Sequence, residues 1–430
     1  MKSALLPATA LLLLQSLSAQ QPEVLASAPA AFARFRQACA AERARLWGVS
    51  LCGPTYAVDP ATRALVATDP DSAATFVAAG DVWSGALPAD IAPSNTAVTW
   101  GGRRWAMVMA PLPADSFSAL TLLAHEHFHR IQPELEMVPH NTASPHLDTE
   151  AGRLWLRLEL RALARALESK GDSARRHARN ALLFRATRRA GTPGADTLES
   201  QLELNEGLAQ YTGVRVALDA MRLPDARAAE LVRGGEAPAS LVRSFAYATG
   251  PGLGLLLDRW ARGWRAEAKR GVDLSSLLAR ALKVADSAVP LAEVERVAAP
   301  YGLDSVRTAE RSRTDSRERL LAGYRTRLVE GPVLLLRQEN LNASFDPYTV
   351  VLLGPAGTVY PTGTFSASWG TLTVRDGGAL VGPDWSTVRV AAPLTTEGNV
   401  VEGPGWSLQL SPGWIVKPGA RTGDLEVMKS

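Results

Sequence analysis

Cysteine, histidine and excess charge of either sign are all scarce in this chain. Only two of its 430 residues are cysteine and six are histidine, which excludes a disulfide-dense scaffold and a cysteine-rich zinc module. The balance of 46 Lys and Arg against 43 Asp and Glu, a net +3, leaves no basic domain for phosphate backbones, and nucleic acid is not an expected partner. Past the first residues, no apolar run approaches the ~18 needed to span a membrane. There is no internal repeat, and alanine enrichment is the only compositional bias.

The N-terminus is the exception to the lack of apolar runs. Lys2, the apolar stretch Ala4 to Leu14, and the small residues Ser16, Ser18 and Ala19 before Gln20 form a secretory-signal pattern over 1–19. No cysteine follows to accept a lipid. The expectation is an exported protein, secreted or periplasmic, with no membrane span. In an oxidising compartment Cys39 and Cys52 form one disulfide; the alternative is two unpaired buried thiols.

Roughly 410 mature residues suffice for two or three domains. Residues 20–114 mix a helix around Ala31 to Leu46 with short strands. Tyr56–Val58 and Ala64–Ala67 flank a turn at Asp59-Pro60, and Ala97–Trp100 and Arg104–Ala110 flank Gly101-Gly102, a two-residue hairpin signal. Residues 115–328 are helical in period, broken at prolines and glycines. After Gly331-Pro332 the chain turns to short β-prone runs, predicting an all-β domain over 331–430, a small sandwich or barrel. The fold class is therefore α+β. Arg153, Arg157, Arg161 and Arg165 form an i, i+4 stripe, expected on a solvated helix face.

Chemistry concentrates in His125-Glu126-His127-Phe128-His129, which holds three of the six histidines. His125 and His129, four apart on a helix, stack on one face and can aim both imidazoles at one metal ion. Glu126 lies beside them as a general base for water activated by that ion. The helix begins after an N-cap at Asp115 or Ser116 and closes near Pro133; it is apolar almost all round, hence buried. Satisfied core histidines are the alternative, although two imidazoles and a carboxylate without a strong partner are costly to bury. His127 points away from the pair and is expected to orient a ligand or to be partly exposed.

A catalytic zinc needs a third ligand and an open position. Glu150 stands 21 positions after His129, where it would equally serve as an acid in a first helical turn. Glu206, 77 positions after His129, lies in Leu202-Glu203-Leu204-Asn205-Glu206-Gly207-Leu208-Ala209-Gln210-Tyr211. Gly207, mid-helix, implies a close approach, with the metal helix as the expected neighbour.

HExxH followed by Asn-Glu-Gly-x-Ala-x-Tyr resembles the gluzincin metallopeptidases, and the second motif is most similar to the alanyl aminopeptidase branch. That resemblance implies a zincin-like helical catalytic domain, one zinc held by His125, His129 and Glu206, and Tyr247 of Tyr247-Ala248-Thr249-Gly250 as donor to the oxyanion. The chain differs from the branch in its long spacer, with extra helices expected around residues 149–190. Thr249 stands where that branch has lysine, and there is no Gly-x-Met-Glu-Asn upstream, which leaves exopeptidase action unsupported. Glu203 and Gln210 share a helix face with Glu206 and are candidates to orient the imidazoles; His140 and His146 are expected in solvated loop positions.

The expected function is an exported zinc-dependent metallopeptidase acting on a peptide or protein substrate. Its catalytic residues would be Glu126 and Tyr247 and its metal ligands His125, His129 and Glu206. An extended substrate could add along the strand Arg104–Ala110. The alternative is a secreted binding or scaffolding protein with a structural or inactive zinc site.

Overall fold

A computed structural model describes residues 23–88, 91–284, 289–337, 340–345 and 349–430. The segment read as an export signal lies outside them. No described helix is long and apolar enough to cross a membrane. The chain divides into two compact units, Met1–Arg307 and Thr308–Ser430, and the combination of helices and sheets is α+β.

In the first unit, helix α1 (Ala28–Glu42) precedes a six-stranded sheet. Its strands are β1 (Thr55–Val58), β2 (Ala64–Ala67), β3 (Val77–Ala79), β4 (Val82–Ala86), β5 (Thr96–Trp100) and β6 (Arg103–Met109). Their order is β3-β4-β2-β1-β6-β5, antiparallel except for the β1–β6 pair. Gly101 and Gly102 both take positive φ, 56° and 72°, so the β5–β6 hairpin turns where the sequence signals it. Alternation sorts the two faces. Tyr56, Val58, Trp105 and Met107 build an aromatic-rich cluster on one side, whereas Ala57, Val66 and Val108 face the helical core.

Six residues separate β6 from α2 (Ser116–Ile131), which begins with the Asp115 side chain accepting from Ser118 N at 2.9 Å as its N-cap. Then follow α3 (Glu150–Glu168), α4 (Gly171–Ala190), α5 (Ala195–Leu202), a widened π-helical turn (Glu203–Gly207), α6 (Leu208–Met221), α7 (Ala228–Gly234) and α8 (Ala246–Trp260). Two glycine contacts set the spacing of the helices around the site. A Cβ at Gly213 would collide with the Thr121 carbonyl of α2, so α6 lies directly against α2. Gly207 instead meets Gly250 Cα and the Ala246 carbonyl. Its expected neighbour is thereby corrected: the close approach belongs to α8, whose own Gly250 lets the two backbones meet.

Cys39 and Cys52 form the expected disulfide. It ties α1 to the loop whose Ser50 and Cys52 carbonyls accept from Arg130 at 3.1 and 2.9 Å, and so braces the back of α2. The arginine stripe of α3 is not solvated. Arg153 is buried and donates to Asp148 and the Ala239 carbonyl. Arg157 and Arg161 grip Glu236, and Arg165 lies over the Tyr301 ring. Helical periodicity gave their spacing correctly but could not show that Glu236 arrives from outside the helix.

In the second unit, a seven-stranded and a six-stranded sheet contribute Leu334, Leu336, Val388 and Val390 from one and Phe365, Leu372, Trp406 and Leu408 from the other to a shared apolar core. This is a β-sandwich.

Candidate metal centre

His125 and His129 project from the same face of α2, as the four-residue spacing dictates, and the turn before α6 brings Glu206 to them. The two Nε2 atoms lie 3.1 Å apart, and Glu206 Oε2 is 3.4 Å from each. Among the described residues, this is the group of histidine and carboxylate donors that could hold a metal ion.

The partners of the other ring nitrogens decide what the convergence means. His125 Nδ1 is 2.9 Å from Gln210 Oε1, and His129 Nδ1 is 2.7 Å from Gln132 Oε1. Gln132 must present its oxygen to His129, because its Nε2 donates to Asn205 Oδ1 at 2.9 Å. An amide oxygen only accepts, so both imidazoles carry hydrogen on Nδ1 and leave a lone pair on Nε2. Two lone pairs and a carboxylate oxygen then face one another at 3.1–3.4 Å. A proton on His129, which the carboxylates of Glu206 and Glu126 favour against the cost of burial, relieves one of these contacts, whereas a bound cation relieves all three. The donor set therefore fits a metal ion.

Hydrogen bonds continue from Asn205 Nδ2 to Glu206 Oε1 at 3.3 Å. The chain His129, Gln132, Asn205, Glu206 thus links two of the three candidate ligands. Gln132 was legible as the residue three positions beyond His129 on the same face, and Asn205 as the neighbour of Glu206 in its motif; neither was singled out from sequence. Of the two residues expected to orient the imidazoles, Gln210 does so. Glu203 does not: it is buried against Arg185, whose Nη1 and Nη2 donate to it at 2.7 and 2.6 Å, and it accepts from the Thr249 hydroxyl. The π-helical turn, an i→i+5 widening often found at functional sites, breaks the shared face that a regular helix would have given Glu203 and Glu206. Thr249 thereby acquires a partner of its own.

Beneath the site, Arg185 also donates to Glu159 at 2.7 Å, and Arg188 grips Glu199 at 2.8–2.9 Å and pairs with Glu159. Helices α3 and α4 form the long spacer between the ligands, and their charged side chains hold α5 and the turn carrying Glu206. Glu150 opens α3 and is absent from the ligand cluster.

Glu126 is 3 % exposed, and its Oε2 has no hydrogen-bond partner within the protein. Burial raises its pKa, against the pull of His125 and His129. Tyr247 lies parallel to His125, with ring centroids 5.6 Å apart, and donates to Glu206 Oε2 at 2.7 Å. Burial and the Glu206 carboxylate push its phenol upward, so it remains a neutral donor. His127 corrects the expectation of partial exposure: it is fully buried, stacked on Phe35, 2.8 Å from Thr55 Oγ1 and an acceptor from Arg130. His146 is likewise buried, 2.7 Å from Glu199 Oε1, whereas His140 is exposed as expected.

The site opens into a cleft of about 520 Å³ lined by Glu126, Glu206, Tyr247, Arg104, Arg243, Asn95 and the β5 residues Thr96 and Ala97. Strand β6 is interior, between β1 and β5, so the strand expected to receive substrate is the wrong member of the hairpin; the edge is β5. No family model, curated protein or solved structure matches the chain.

Proposed function

We propose that the chain is an exported, zinc-dependent metallopeptidase. The observation carrying this reading is the convergence of His125, His129 and Glu206 beside a buried, unpartnered glutamate at the floor of a cleft. Ligands 2.0–2.1 Å from a tetrahedral ion are separated by about 3.3 Å, close to the 3.1–3.4 Å between these donor atoms; two imidazoles and one carboxylate form a zinc donor set. When bound, zinc supplies a Lewis acid that lowers the proton affinity of water and polarises a carbonyl.

Glu126 takes a proton from the attacking water and returns it to the leaving amine. Its raised proton affinity suits both transfers. Tyr247 turns its hydroxyl from Glu206 toward the oxygen on which negative charge develops. The β5 edge receives an extended substrate backbone. Secretion or export to the periplasm is supported by the disulfide together with the N-terminal signal pattern.

Elemental mass spectrometry on the purified protein and its variants tests this reading. The parent should carry about one zinc per chain, Glu150→Gln and Glu126→Gln should retain it, and Glu206→Gln should lose it. Glu126→Gln should slow peptide hydrolysis by about 10²–10⁴-fold. A parent that takes up no zinc on reconstitution, or a Glu126→Gln variant as active as the parent, rejects the proposal.

A further inference from the structure

Many inward-facing arginines of the helical unit pair with carboxylates: Arg185 and Arg188 with Glu159, Arg161 with Glu236, Arg215 with Asp219 and Asp225. Two arginines at the metal cleft break this pattern. Arg104 donates to the carbonyls of Arg130 and His129 at 3.0 and 3.2 Å. Arg243 donates to Asn141 through its carbonyl and side-chain oxygens and to the Thr142 carbonyl. Among the described residues neither forms an ion pair with a carboxylate. A guanidinium has five N–H donors; these bonds leave Nη1 of Arg104 and Nε of Arg243 without a protein partner. The carbonyls fix the position of each cation without neutralising it.

The rest of the cleft sharpens the imbalance. Among the described residues its acidic side chains are Glu126 and Glu206, both engaged by the metal chemistry. Among the described residues no further acid lines the cleft to hold the ammonium of a peptide N-terminus, while Arg104 and Arg243 both line it.

We propose that Arg104 and Arg243 bind a carboxylate of the substrate, so that the enzyme selects peptides bearing an anionic group beside the scissile bond. This rests on the metallopeptidase reading for the identity of the substrate as a peptide. The carboxylate comes from a free C-terminus or from an acidic side chain; both present the same two-oxygen face to a guanidinium.

Calorimetric titration of the Glu126→Gln protein, which binds without cutting, separates the two sources. The probes are four acetylated alanine pentapeptides: one with a free C-terminal carboxylate, one with a C-terminal amide, and two amidated forms with an internal glutamate or glutamine. A carboxylate-bearing probe should bind about tenfold more tightly than its neutral counterpart. Preference for the free C-terminus assigns the terminal carboxylate, and preference for glutamate assigns the side chain. Substituting Arg104→Met and Arg243→Met together should abolish the preference while bound zinc is retained, and lysine at both positions should restore part of it. Equal binding of all four probes, binding of none, or a preference that survives both methionines overturns the proposal. Zinc content and hydrolysis by the parent report separately on the metallopeptidase reading.

Discussion

The two units differ in what they bury. All six histidines lie before residue 178. Among the described residues every buried polar or charged side chain belongs to the first unit, except Glu310 on the helix Leu303–Arg325. The sandwich core is Leu, Val, Phe and Trp with Ala379 and Tyr360. Apolar burial alone can stabilise such a fold, whereas a buried carboxylate adds stability only where its partners compensate its desolvation. Within the helical unit, Glu159, Arg185, Arg188, Glu199 and Glu203 gather buried charge around the segment that presents Glu206. The difference teaches where to look for function in this chain.

The sharpest way to break this contrast is Arg185→Met. It leaves buried Glu203 with only the Thr249 hydroxyl and Glu159 with only Arg188, and should cost the helical unit about 3–5 kcal/mol. Zinc should therefore be released at lower denaturant concentration; an unchanged release curve would mean that the ion network supports nothing. The matching change in the sandwich is Phe365→Ala, at a fully buried position. It should cost that unit about 3 kcal/mol, read as a lower denaturation midpoint, with zinc per chain and activity unchanged. A loss of zinc in Phe365→Ala would contradict the division of labour.

Sequence and structure part company where information is non-local. Strand alternation, the Gly101-Gly102 hairpin, the Asp115 cap and the stacking of His125 on His129 are local properties of the chain, and they were legible. Glu206 was reached through its motif rather than its spacing, because helices α3 and α4 intervene. The mispositioned residues share one cause. Glu203, His127, His146 and the α3 arginines all have partners on distant segments, namely Arg185, Thr55, Glu199 and Glu236. No helical wheel shows a partner that arrives from another element, and none shows the extra residue of a π-helical turn.

Acid separates the units by a smaller effect. Burial alone would raise the carboxyl of Asp273, but Arg189 and Arg185 pull it down to about 2. Glu199 is likewise held well below its usual value by Arg188 and His146, against its desolvation. A folded-state pKa below the unfolded value of about 3.9 means that the unfolded chain binds the proton first as pH falls. The stabilisation is thus complete above about pH 5 and is lost as pH drops toward 2; for Asp273 alone it is about 2 kcal/mol. Denaturant midpoints measured between pH 6 and 3 should fall for the parent, and less steeply for Asp273→Asn. Parallel pH profiles would remove the network from the account of acid stability.

The smallest expected effect tests the link between the buried polar groups and the metal most directly. Gln132 accepts from His129 Nδ1 and donates to Asn205, which in turn holds Glu206. Gln132→Ala removes both bonds without touching a ligand, and should weaken zinc binding about tenfold. Gln132→Glu separates the two roles: its carboxylate still accepts from His129 and makes that imidazole a stronger donor to the metal, but it cannot donate to Asn205. If orienting the imidazole is what matters, competition with a zinc chelator should show glutamate near the parent affinity and alanine well below it. If positioning Glu206 through Asn205 is what matters, the two variants should be equally weak. Affinity unchanged in both would leave α2 itself, fixed by its packing against α6 at Gly213, sufficient to aim the histidines.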